Sequence, residues 1–452
     1  MNPVSQLPRR FRVRFDDRKT VPNAGLVIPL RLADRLGVTP VLNGLLSGTD
    51  RRQKPNGGAK AMNLVAMLLS GGEFISDVGI LAAGSTLGRL GYRWFSESRL
   101  GEWLRSLTET DITGMGDALT TVTARAWSAG LGPDLGGMSV SDPLMIDVDA
   151  TLTETYGMAK NGTGARNYQG VRGYAPLLGV EASTGQVIAA RLRAGNASPA
   201  NGAATFAAET LSRVRSLTGE SIPLVLRADS GFYLWDLFDQ CGVHDARFSV
   251  TVRQYRPVRD LIEAIDEADW HPTKRTSAKR IDIAAVPYQI KGRTGKGDPI
   301  GCRLIVRRVT TPADTGGSQP RLFDLVDYHA FVTDQPGDPT ALWYRHNQRA
   351  AIEATIRDLK YGLGLNHFPS GSYTANAAWL TLNALSHNLC RWTNQLITPQ
   401  PLTTKTLRHR YFTLPGRITT ASRKNILHLP QDWPHQHHIT QALTTINHPQ
   451  TA

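Results

Sequence analysis

The sequence contains little cysteine and no long apolar run. Three cysteines in 452 residues lie far apart and form no CxxC pair, which suggests neither a disulfide framework nor a structural zinc site. The longest apolar run, Leu64 to Leu69, is far too short to cross a bilayer. No apolar segment follows the basic N-terminal residues, so the start of the chain is not typical of a signal peptide. These absences predict a cytoplasmic protein with no membrane partner.

Acidic residues are fewer than basic ones. The chain has 51 Lys and Arg residues against 38 Asp and Glu residues, which gives a formal net charge of +13. Such an excess favours a polyanionic partner, because each phosphate that a cation neutralises releases counterions. A basic protein from a GC-rich genome would show the same balance, but nucleic acid is the better interpretation. The length is sufficient for two or three domains.

The N-terminal third is polar at its start and helical afterwards. Residues 1–20 are rich in arginine and are predicted to form a basic arm. In residues 21–140, apolar residues recur at helical spacing, with Gly and Ser between the runs. We interpret this region as a helical DNA-binding domain; a helical bundle with only a packing role is the alternative. The segment LADRLGV is weakly similar to a helix-turn-helix, but Pro40 and Asn43 are expected to interrupt its second helix.

Residues 141–256 are predicted to form the first part of an α/β domain. Three β-rich runs, the first being LMIDVDATLTETYG, are followed by a helix, a strand, a second helix and a fifth strand. This order is that of the ribonuclease-H-like fold. A doubly wound nucleotide-binding domain would not begin with three consecutive strands, and the chain contains no GxGxxG or Walker A sequence.

The rest of the chain is predicted to contain an insertion, the end of the core and a tail. Residues 257–333 hold irregular β-rich runs, basic loops and the disordered-looking TPADTGGSQP, and we interpret them as an inserted β subdomain. The core resumes in residues 334–396 with helical sequence. Residues 397–452 are predicted to form a basic, histidine-rich tail. Three histidines of this tail are interpreted as a solvated run rather than a metal site: His435, His437 and His438.

One uninterrupted helix is predicted over residues 343–364, because this run contains no proline and no glycine before its end. Its isoleucines and leucines recur at helical spacing and would face a core. A neighbouring stripe carries Arg349, Glu353 and Lys360, one acid between two bases. A solvated amphipathic helix has the same pattern, so the helix alone does not establish a site.

Acidic residues on three elements of the predicted core could form one site. Asp147 and Asp149 lie two apart on the first strand and therefore point to one face. Asp229 lies where a later strand ends in a turn, which is where open α/β sheets place ligand-binding groups. Together with Glu353 these carboxylates suit Mg²⁺ or Mn²⁺, since no His or Cys is among them. Two such ions can activate an attacking oxygen and stabilise a leaving oxygen in phosphoryl transfer.

Three motifs surround these acids: DAT at 149–151, RADSGF at 227–232 and RAAIEATIRDLK at 349–360. Together they resemble the Y-R-E-K-type signature of bacterial insertion-sequence DDE transposases, in the cut-and-paste branch that has a β-rich insertion before the catalytic glutamate. The resemblance covers about residues 145–396.

The resemblance implies the roles of individual residues. Asp149, Asp229 and Glu353 would be the catalytic, metal-binding triad. The DxT pattern favours Asp149 over Asp147, which could instead orient a ligand from behind.

The resemblance also implies contacts to DNA. Arg349 and Lys360 would hold phosphates of the transposon end, and His346 occupies the position of the family's tyrosine. Arg227 is a further candidate phosphate contact, although an arginine beside a carboxylate is as often its structural partner. Trp270 could stack on an extruded base, but a tryptophan in such an insertion is more often core.

The activity that follows from the resemblance is DNA transposition. Metal-dependent hydrolysis would nick the element's ends, the freed 3′-hydroxyls would cut the opposite strands through hairpins, and they would later join target DNA. The partners would be double-stranded transposon ends and target DNA, bound by a homodimer associated with the nucleoid. A nuclease of the same fold without strand transfer would have the same acids. A domesticated DNA-binding protein is a further alternative, against which the intact acids argue.

Overall fold

The computed structural model describes most of the chain. The described residues are 13–17, 19–46, 56–83, 86–155, 160–164, 166, 170–276, 279–292, 295–313, 323–421 and 424–447. The predicted basic arm therefore lies largely outside the described residues, as does most of the TPADTGGSQP segment.

Helices and strands alternate in the order that the sequence predicts for the core. In chain order the described helices are α1 (Val27–Arg35), α2 (Val38–Leu45), α3 (Gly57–Ser70), α4 (Val78–Ala83), α5 (Thr86–Arg89), α6 (Glu97–Ser106), α7 (Glu109–Ser128), α8 (Ala203–Thr218), α9 (Trp235–Val243), α10 (Arg256–Glu263), α11 (Pro339–Asn347), α12 (Ala350–Gly362), α13 (Tyr373–Ile397), α14 (Thr404–Leu407) and α15 (Gln436–Asn447). The described strands are β1 (Thr20–Val21), β2 (Leu144–Ala150), β3 (Thr153–Glu154), β4 (Gly173–Tyr174), β5 (Leu177–Glu181), β6 (Gln186–Arg191), β7 (Leu224–Ala228), β8 (Ala246–Thr251), β9 (His271–Arg275), β10 (Arg280–Ile290), β11 (Ile300–Thr311), β12 (Leu325–Thr333), β13 (Gly416–Ala421) and β14 (Lys424–His428).

The core is a mixed sheet whose first five strands lie in the order β6-β5-β2-β7-β8. Strand β5 pairs antiparallel with β2 on one side and with β6 on the other, whereas β2, β7 and β8 run parallel to one another. Parallel neighbours need a crossover, and helix α9 supplies it between β7 and β8. The ribonuclease-H-like fold predicted from the element order is therefore confirmed.

The insertion continues this sheet. Its predicted β-rich runs form β10, β11 and β12, and the structure adds α10 and β9, which the sequence analysis missed. Strand β12 pairs antiparallel with β8, from Thr333↔Ser249 to Phe331↔Thr251, so one sheet of nine strands runs from β6 to β9. The first part of β12 extends past the carboxyl end of β8. The insertion is thus an extension of the core sheet and not a separate layer.

The N-terminal region is helical, as predicted, but it shares its hydrophobic core with the α/β part. Helix α13 is buried over most of its length and packs against α1, α3, α6, α7, α15 and strand β6. Helix α2 also forms, with Pro40 in its first turn, where a backbone N–H is not needed. The expectation that Pro40 interrupts this helix was therefore wrong. Binding of DNA by this region stays a prediction.

No single helix among the described residues is long and apolar enough to cross a membrane. Gly57–Ser70 and Ile75–Ala83 satisfy that test of length and composition only as a pair, with a bend of 90° between them. The residues of Gly57–Ser70 are mostly buried inside the protein.

The C-terminal region is folded back onto the protein. Strands β13 and β14 form a small sheet with β1 near the N-terminus, and α15 packs against α1 and α13. The histidines predicted to be a solvated run lie at the start of α15, where His438 Nδ1 is 2.9 Å from the hydroxyl of Tyr411. The tail predicted from composition is therefore mostly ordered packing.

Gln186 joins the helical region to the sheet. Its buried Oε1 accepts hydrogen bonds from the indole Nε1 of Trp127 at 2.7 Å and of Trp392 at 2.9 Å. Its Nε2 donates to the carbonyl of Leu131 at 2.8 Å. One buried amide thus connects α7, α13 and β6. Gln186 and Trp392 are buried and Trp127 is half-buried, so the buried groups in particular depend on their partners.

We expect Gln186→Leu to lower the free energy of unfolding by about 1.5–4.5 kcal/mol. The buried indole N–H of Trp392 would be left without an acceptor, at a cost of about 1–3 kcal/mol, and the half-buried indole N–H of Trp127 would lose a hydrogen bond worth about 0.5–1.5 kcal/mol. Urea denaturation measures the change. Gln289→Leu, at an exposed position of β10, is the control and should change stability by less than about 1 kcal/mol. Equal effects of the two substitutions would contradict the role of Gln186.

Candidate active site

Two predicted acids lie side by side at the carboxyl edge of the parallel strands. Val148 near the end of β2 pairs with Ala228 at the end of β7, so Asp149, in β2, and Asp229, just after β7, are the next neighbours. Asp229 begins a tight turn, in which its Oδ1 accepts a hydrogen bond from the backbone N–H of Gly231 at 2.8 Å. We call this border of the sheet, with Asp149 and Asp229, the acidic edge. Sequence analysis predicted this juxtaposition.

Asp147 and Arg227 form a buried ion pair behind the acidic edge. They are register partners on β2 and β7, and both side chains are almost completely buried. Arg227 donates from Nε to Asp147 Oδ1 at 2.5 Å and from Nη2 to Oδ2 at 2.8 Å. The pair is bidentate, which is the strongest arrangement available to an arginine and a carboxylate. Arg227 is thus the structural partner of Asp147, and the prediction of a phosphate contact at this residue is wrong for this structure.

The helix predicted over residues 343–364 is broken. Helix α11 ends at Asn347 and α12 begins at Ala350. The guanidinium of Arg227 donates to the backbone carbonyls of Arg345 and Gln348, which lie in the last turn of α11 and just beyond it. These carbonyls are satisfied by a side chain and need no N–H from a continuing helix. No local sequence signal marks this break, because its cause lies about 120 residues away in the chain.

The break places Arg349 at the N-cap of α12, against the acidic edge. Its Nη2 is 3.5 Å from Oδ2 of Asp149. Its Nε is buried and has no hydrogen-bond partner among the described residues. Glu353 follows in the first turn of α12, is exposed, and belongs to a helix that packs against β2. Arg349 therefore faces the acidic edge, and Glu353 lies one helical turn further along α12.

The carboxyl group of Asp149 has a raised pKa. Burial raises the pKa of its carboxyl to about 6, Arg349 opposes the rise, and the nearby carboxylates of Asp229 and Glu353 add to it. The carboxylates of Asp229 and Glu353 are therefore close enough to repel that of Asp149. Perturbation of this kind, by burial and by like charges together, is typical of functional sites.

The donor set fits a hard divalent cation, because Asp149, Asp229 and Glu353 supply only carboxylate oxygens. Among the described residues, however, no three His, Cys, Asp or Glu side chains converge closely enough to hold one ion. Arg349 lies against Asp149, and Asp229 is turned toward Gly231. The structure thus places the acids near one edge of the sheet, but their carboxylate oxygens do not converge on a single ion position.

Lys360 lies near the same edge. Its Nζ donates to the carbonyl of Leu152, just beyond the end of β2, at 2.6 Å, and burial lowers its pKa. One of its three donors is therefore used by the protein. Its predicted contact with a phosphate stays a prediction.

His346 is not placed to contact DNA. Its ring is buried and stacks on Phe331, with the ring centres 4.1 Å apart. Nδ1 lies 2.8 Å from the hydroxyl of Ser249 and Nε2 lies 3.0 Å from that of Thr251. Burial lowers the pKa of His346 to about 3, so the ring is neutral. The predicted phosphate contact at His346 is wrong for this structure, because both nitrogens are already used inside the protein.

Trp270 belongs to the core of the insertion. Only 8% of the residue is exposed, and the guanidinium of Arg308 lies 4.2 Å from its ring. Arg308 is itself held by Glu267 and Asp282. The prediction that Trp270 stacks on an extruded base is therefore wrong for this structure, and its alternative as a core residue is the one observed.

Sequence analysis missed the residues that hold the far end of α12. Asp358 accepts hydrogen bonds from the backbone N–H and the hydroxyl of Thr404 at 2.9 and 2.7 Å. Arg408 donates to the carbonyl of Gly362 and also to those of Leu68 and Leu69 at the end of α3. A cation at the carboxyl ends of two helices is electrostatically favourable. Only an isolated acid and an isolated arginine marked these contacts in the sequence.

A second stretch that sequence analysis passed over is RQYRPVR, residues 253–259, directly after β8. Because β8 is parallel to β7, this stretch leaves the sheet at the acidic edge. The signal was present in the sequence as three arginines around one tyrosine between a strand and the insertion.

Comparison with known proteins gives a family for the whole chain. A family model described as transposase DDE domain group 1 matches residues 5–451. No curated protein matches the chain. Seven chains of solved structures match, among them the piggyBac transposase in a cryo-EM structure of its synaptic complex with hairpin DNA. That likeness has 11% sequence identity and a TM-score of 0.42, and covers 85% of this chain and 78% of the other, which supports no statement about the site.

The buried ion pair can be tested by a double-mutant cycle. We expect Arg227→Leu to lower the free energy of unfolding by about 3–5 kcal/mol, because it leaves the carboxylate of Asp147 buried and unpaired. Arg227→Leu combined with Asp147→Leu should be less destabilised than Arg227→Leu alone. The measurement is urea denaturation. Lys296→Leu, which breaks an exposed ion pair with Asp236, should change stability by only about 0–1 kcal/mol.

The raised pKa of Asp149 predicts that the stability of the fold depends on pH. Its folded-state pKa of about 6 lies above the ordinary value of 3.8, so the folded protein holds this proton more tightly than the unfolded chain. The stability that this group contributes is therefore full below about pH 4 and is lost as the pH rises through about 6. Without metal, Asp149→Asn should become more stable than the wild type by on the order of 3 kcal/mol at about pH 8, and gain little at about pH 4. A gain that is the same at both pH values would contradict a raised pKa.

Proposed function

Because the chain belongs to the transposase DDE domain family, group 1, we propose that the catalytic acids of this DNA transposase are Asp149, Asp229 and Glu353. The observation that carries the proposal is the acidic edge. Two carboxylates lie where neighbouring parallel strands end, and the third lies in the first turn of a helix packed on one of those strands. Their mutual repulsion contributes to the raised pKa of Asp149.

Transposases of this family use divalent metal ions, and we propose that the three acids hold two Mg²⁺ ions, with Mn²⁺ as a substitute. Bound there, the ions would activate the attacking oxygen and stabilise the leaving oxygen of the phosphodiester. The protein supplies carboxylates already gathered at one edge, partly shielded from water, where their charge favours a cation.

Arg349 is proposed to exchange partners when DNA binds. In the structure it lies 3.5 Å from Asp149, and its Nε is unsatisfied among the described residues. A phosphate would give this guanidinium a stronger, bidentate partner. The departure of Arg349 would free Asp149 and allow the exposed Glu353 to turn toward the acidic edge. Lys360, on the last turn of α12, is proposed to contact a second phosphate.

The reaction is proposed to follow four phosphoryl transfers. Hydrolysis nicks each end, and the freed 3′-hydroxyl attacks the opposite strand, which forms a hairpin and releases the flanking DNA. Water then opens the hairpin and restores the 3′-hydroxyl, which later attacks and joins target DNA. We further propose that the element is a bacterial insertion sequence, that a homodimer holds its two ends together, and that the protein acts in the cytoplasm on the nucleoid. Support for these finer points is the resemblance of the motifs and the basic net charge of +13.

The deciding experiment incubates the purified protein with Mg²⁺ and DNA that carries the inverted repeats of its own locus. Excision with joined products supports the proposal. Cleavage without joining would indicate a nuclease of the same fold, and binding without cleavage would indicate a protein that has lost its chemistry. A hairpin intermediate is visible as a product of double length on a denaturing gel.

We expect Glu353→Gln to reduce end cleavage by about a thousandfold or more, because the loss of one metal-binding carboxylate removes several kcal/mol of transition-state stabilisation. Glu220→Gln is the control. Because Glu220 is exposed and lies before the opposite end of β7, this variant should cleave the ends as fast as the wild type does. Gel analysis of labelled ends measures both rates. Undiminished cleavage by Glu353→Gln would refute the assignment of the triad.

A further inference from the structure

The stretch RQYRPVR, residues 253–259, lies beside the acidic edge. It follows β8, whose parallel neighbour β7 leads directly into Asp229. The Nε of Arg253 is 3.4 Å from the hydroxyl of Ser230, the residue after Asp229. The stretch is therefore adjacent to the proposed site of cleavage.

Tyr255 is an exposed ring on a fixed backbone. Tyr255 is the N-cap residue of α10, and this helix is anchored by Val258 and Ile262, which are buried in the core. The backbone N–H of Tyr255 donates to the carbonyl of Arg253 at 2.8 Å, and its own carbonyl accepts from Val258 and Arg259 at 2.9 and 3.0 Å. Nevertheless 58% of Tyr255 is exposed. A large aromatic surface is thus held in place without being used for packing.

Three exposed arginines lie within four residues of Tyr255 in the chain: Arg253, Arg256 and Arg259. Arg256 lies 3.9 Å from Asp260, but both side chains are largely exposed, so this ion pair is weak and leaves the arginine available. Acidic residues follow from Asp260 onward. The run of basic residues is therefore short and ends at Arg259, four residues after Tyr255.

We propose that residues 253–259 bind an unpaired DNA strand, with one base stacked on Tyr255 and the arginines against the phosphates. A ring can stack on a base only where the base has lost a neighbour, since both faces of a base inside a duplex are covered. Aromatic side chains combined with a basic track are the usual means of holding single strands without sequence preference. The identity of this strand rests on the proposed function: it would be the end of the transposon that opens during cleavage.

Strand binding can be measured separately from cleavage. The probe is a fluorescein-labelled oligothymidine of about 12 nucleotides, and the readout is fluorescence anisotropy of the full chain. Tyr255→Ala should weaken binding about 5- to 150-fold, the effect of losing one stacked base. Tyr255→Phe should bind within about twofold of the wild type, because the ring is kept.

Tyr344→Ala is the matched control. Tyr344 is similarly exposed, at 55%, but the next residue, Arg345, contacts the carbonyl of Ser141, which precedes β2 at the opposite edge of the sheet. This variant should bind the strand unchanged. Replacement of Arg253, Arg256 or Arg259 by Gln should each reduce the slope of log affinity against log salt by about 0.7, the value for one phosphate contact on a single strand.

Photocrosslinking locates the base. With one 5-iodouracil in the probe, the adduct should fall on Tyr255. Wild-type affinity of Tyr255→Ala, or adducts confined to other segments, would overturn the inference even if the protein cleaves its ends. Conversely, Glu353→Gln should bind the probe normally. If the protein cleaves no ends but its strand binding still depends on Tyr255, the proposed function fails and this inference stands.

Discussion

The buried ion pair of Asp147 and Arg227 is the interaction on which the acidic edge depends. A buried guanidinium is tolerated only when its charge is paired and most of its N–H groups are satisfied. Asp147 provides the charge, and the carbonyls of Arg345 and Gln348 provide the remaining acceptors. Because those carbonyls belong to the end of α11, satisfying Arg227 also ends that helix. The turn that follows brings Arg349 to Asp149 and places Glu353 in the first turn of a new helix.

The acidic edge is held together against its own repulsion. Asp149 and Asp229 lie at the carboxyl ends of adjacent parallel strands, so the sheet itself forces two carboxylates to be neighbours. Burial makes this repulsion stronger than it would be in water. Arg349 relieves part of it at Asp149 but remains incompletely hydrogen-bonded itself. The crowded carboxylates favour binding of a cation, and the incompletely bonded guanidinium of Arg349 favours binding of a phosphate. Phosphoryl transfer on DNA requires both.

The insertion, the N-terminal helices and the C-terminal region are all packed against the core that carries the acidic edge. The insertion extends the core sheet through the pairing of β12 with β8, and the N-terminal helices share a core with α13. The C-terminal region holds the far end of α12 through Asp358 and Arg408. Both ends of the helix that carries Glu353 are therefore tied to distant parts of the chain. Changes in the helical region can reach this helix through Arg408, which also contacts the end of α3.

The sequence by itself determined the order of strands and helices in the core and the three acids at its edge. Strand and helix patterns are set by neighbours within a few residues, and Asp149 and Asp229 are brought together by any sheet with this strand order. Only the tertiary structure decided that the helix breaks before Arg349 and that Arg227, His346 and Trp270 are buried. Each of those outcomes depends on a partner far away in the chain, such as Asp147 for Arg227, 80 residues apart. Periodicity shows that a side chain can face inward, but the partner that makes its burial favourable exists only once the chain has folded.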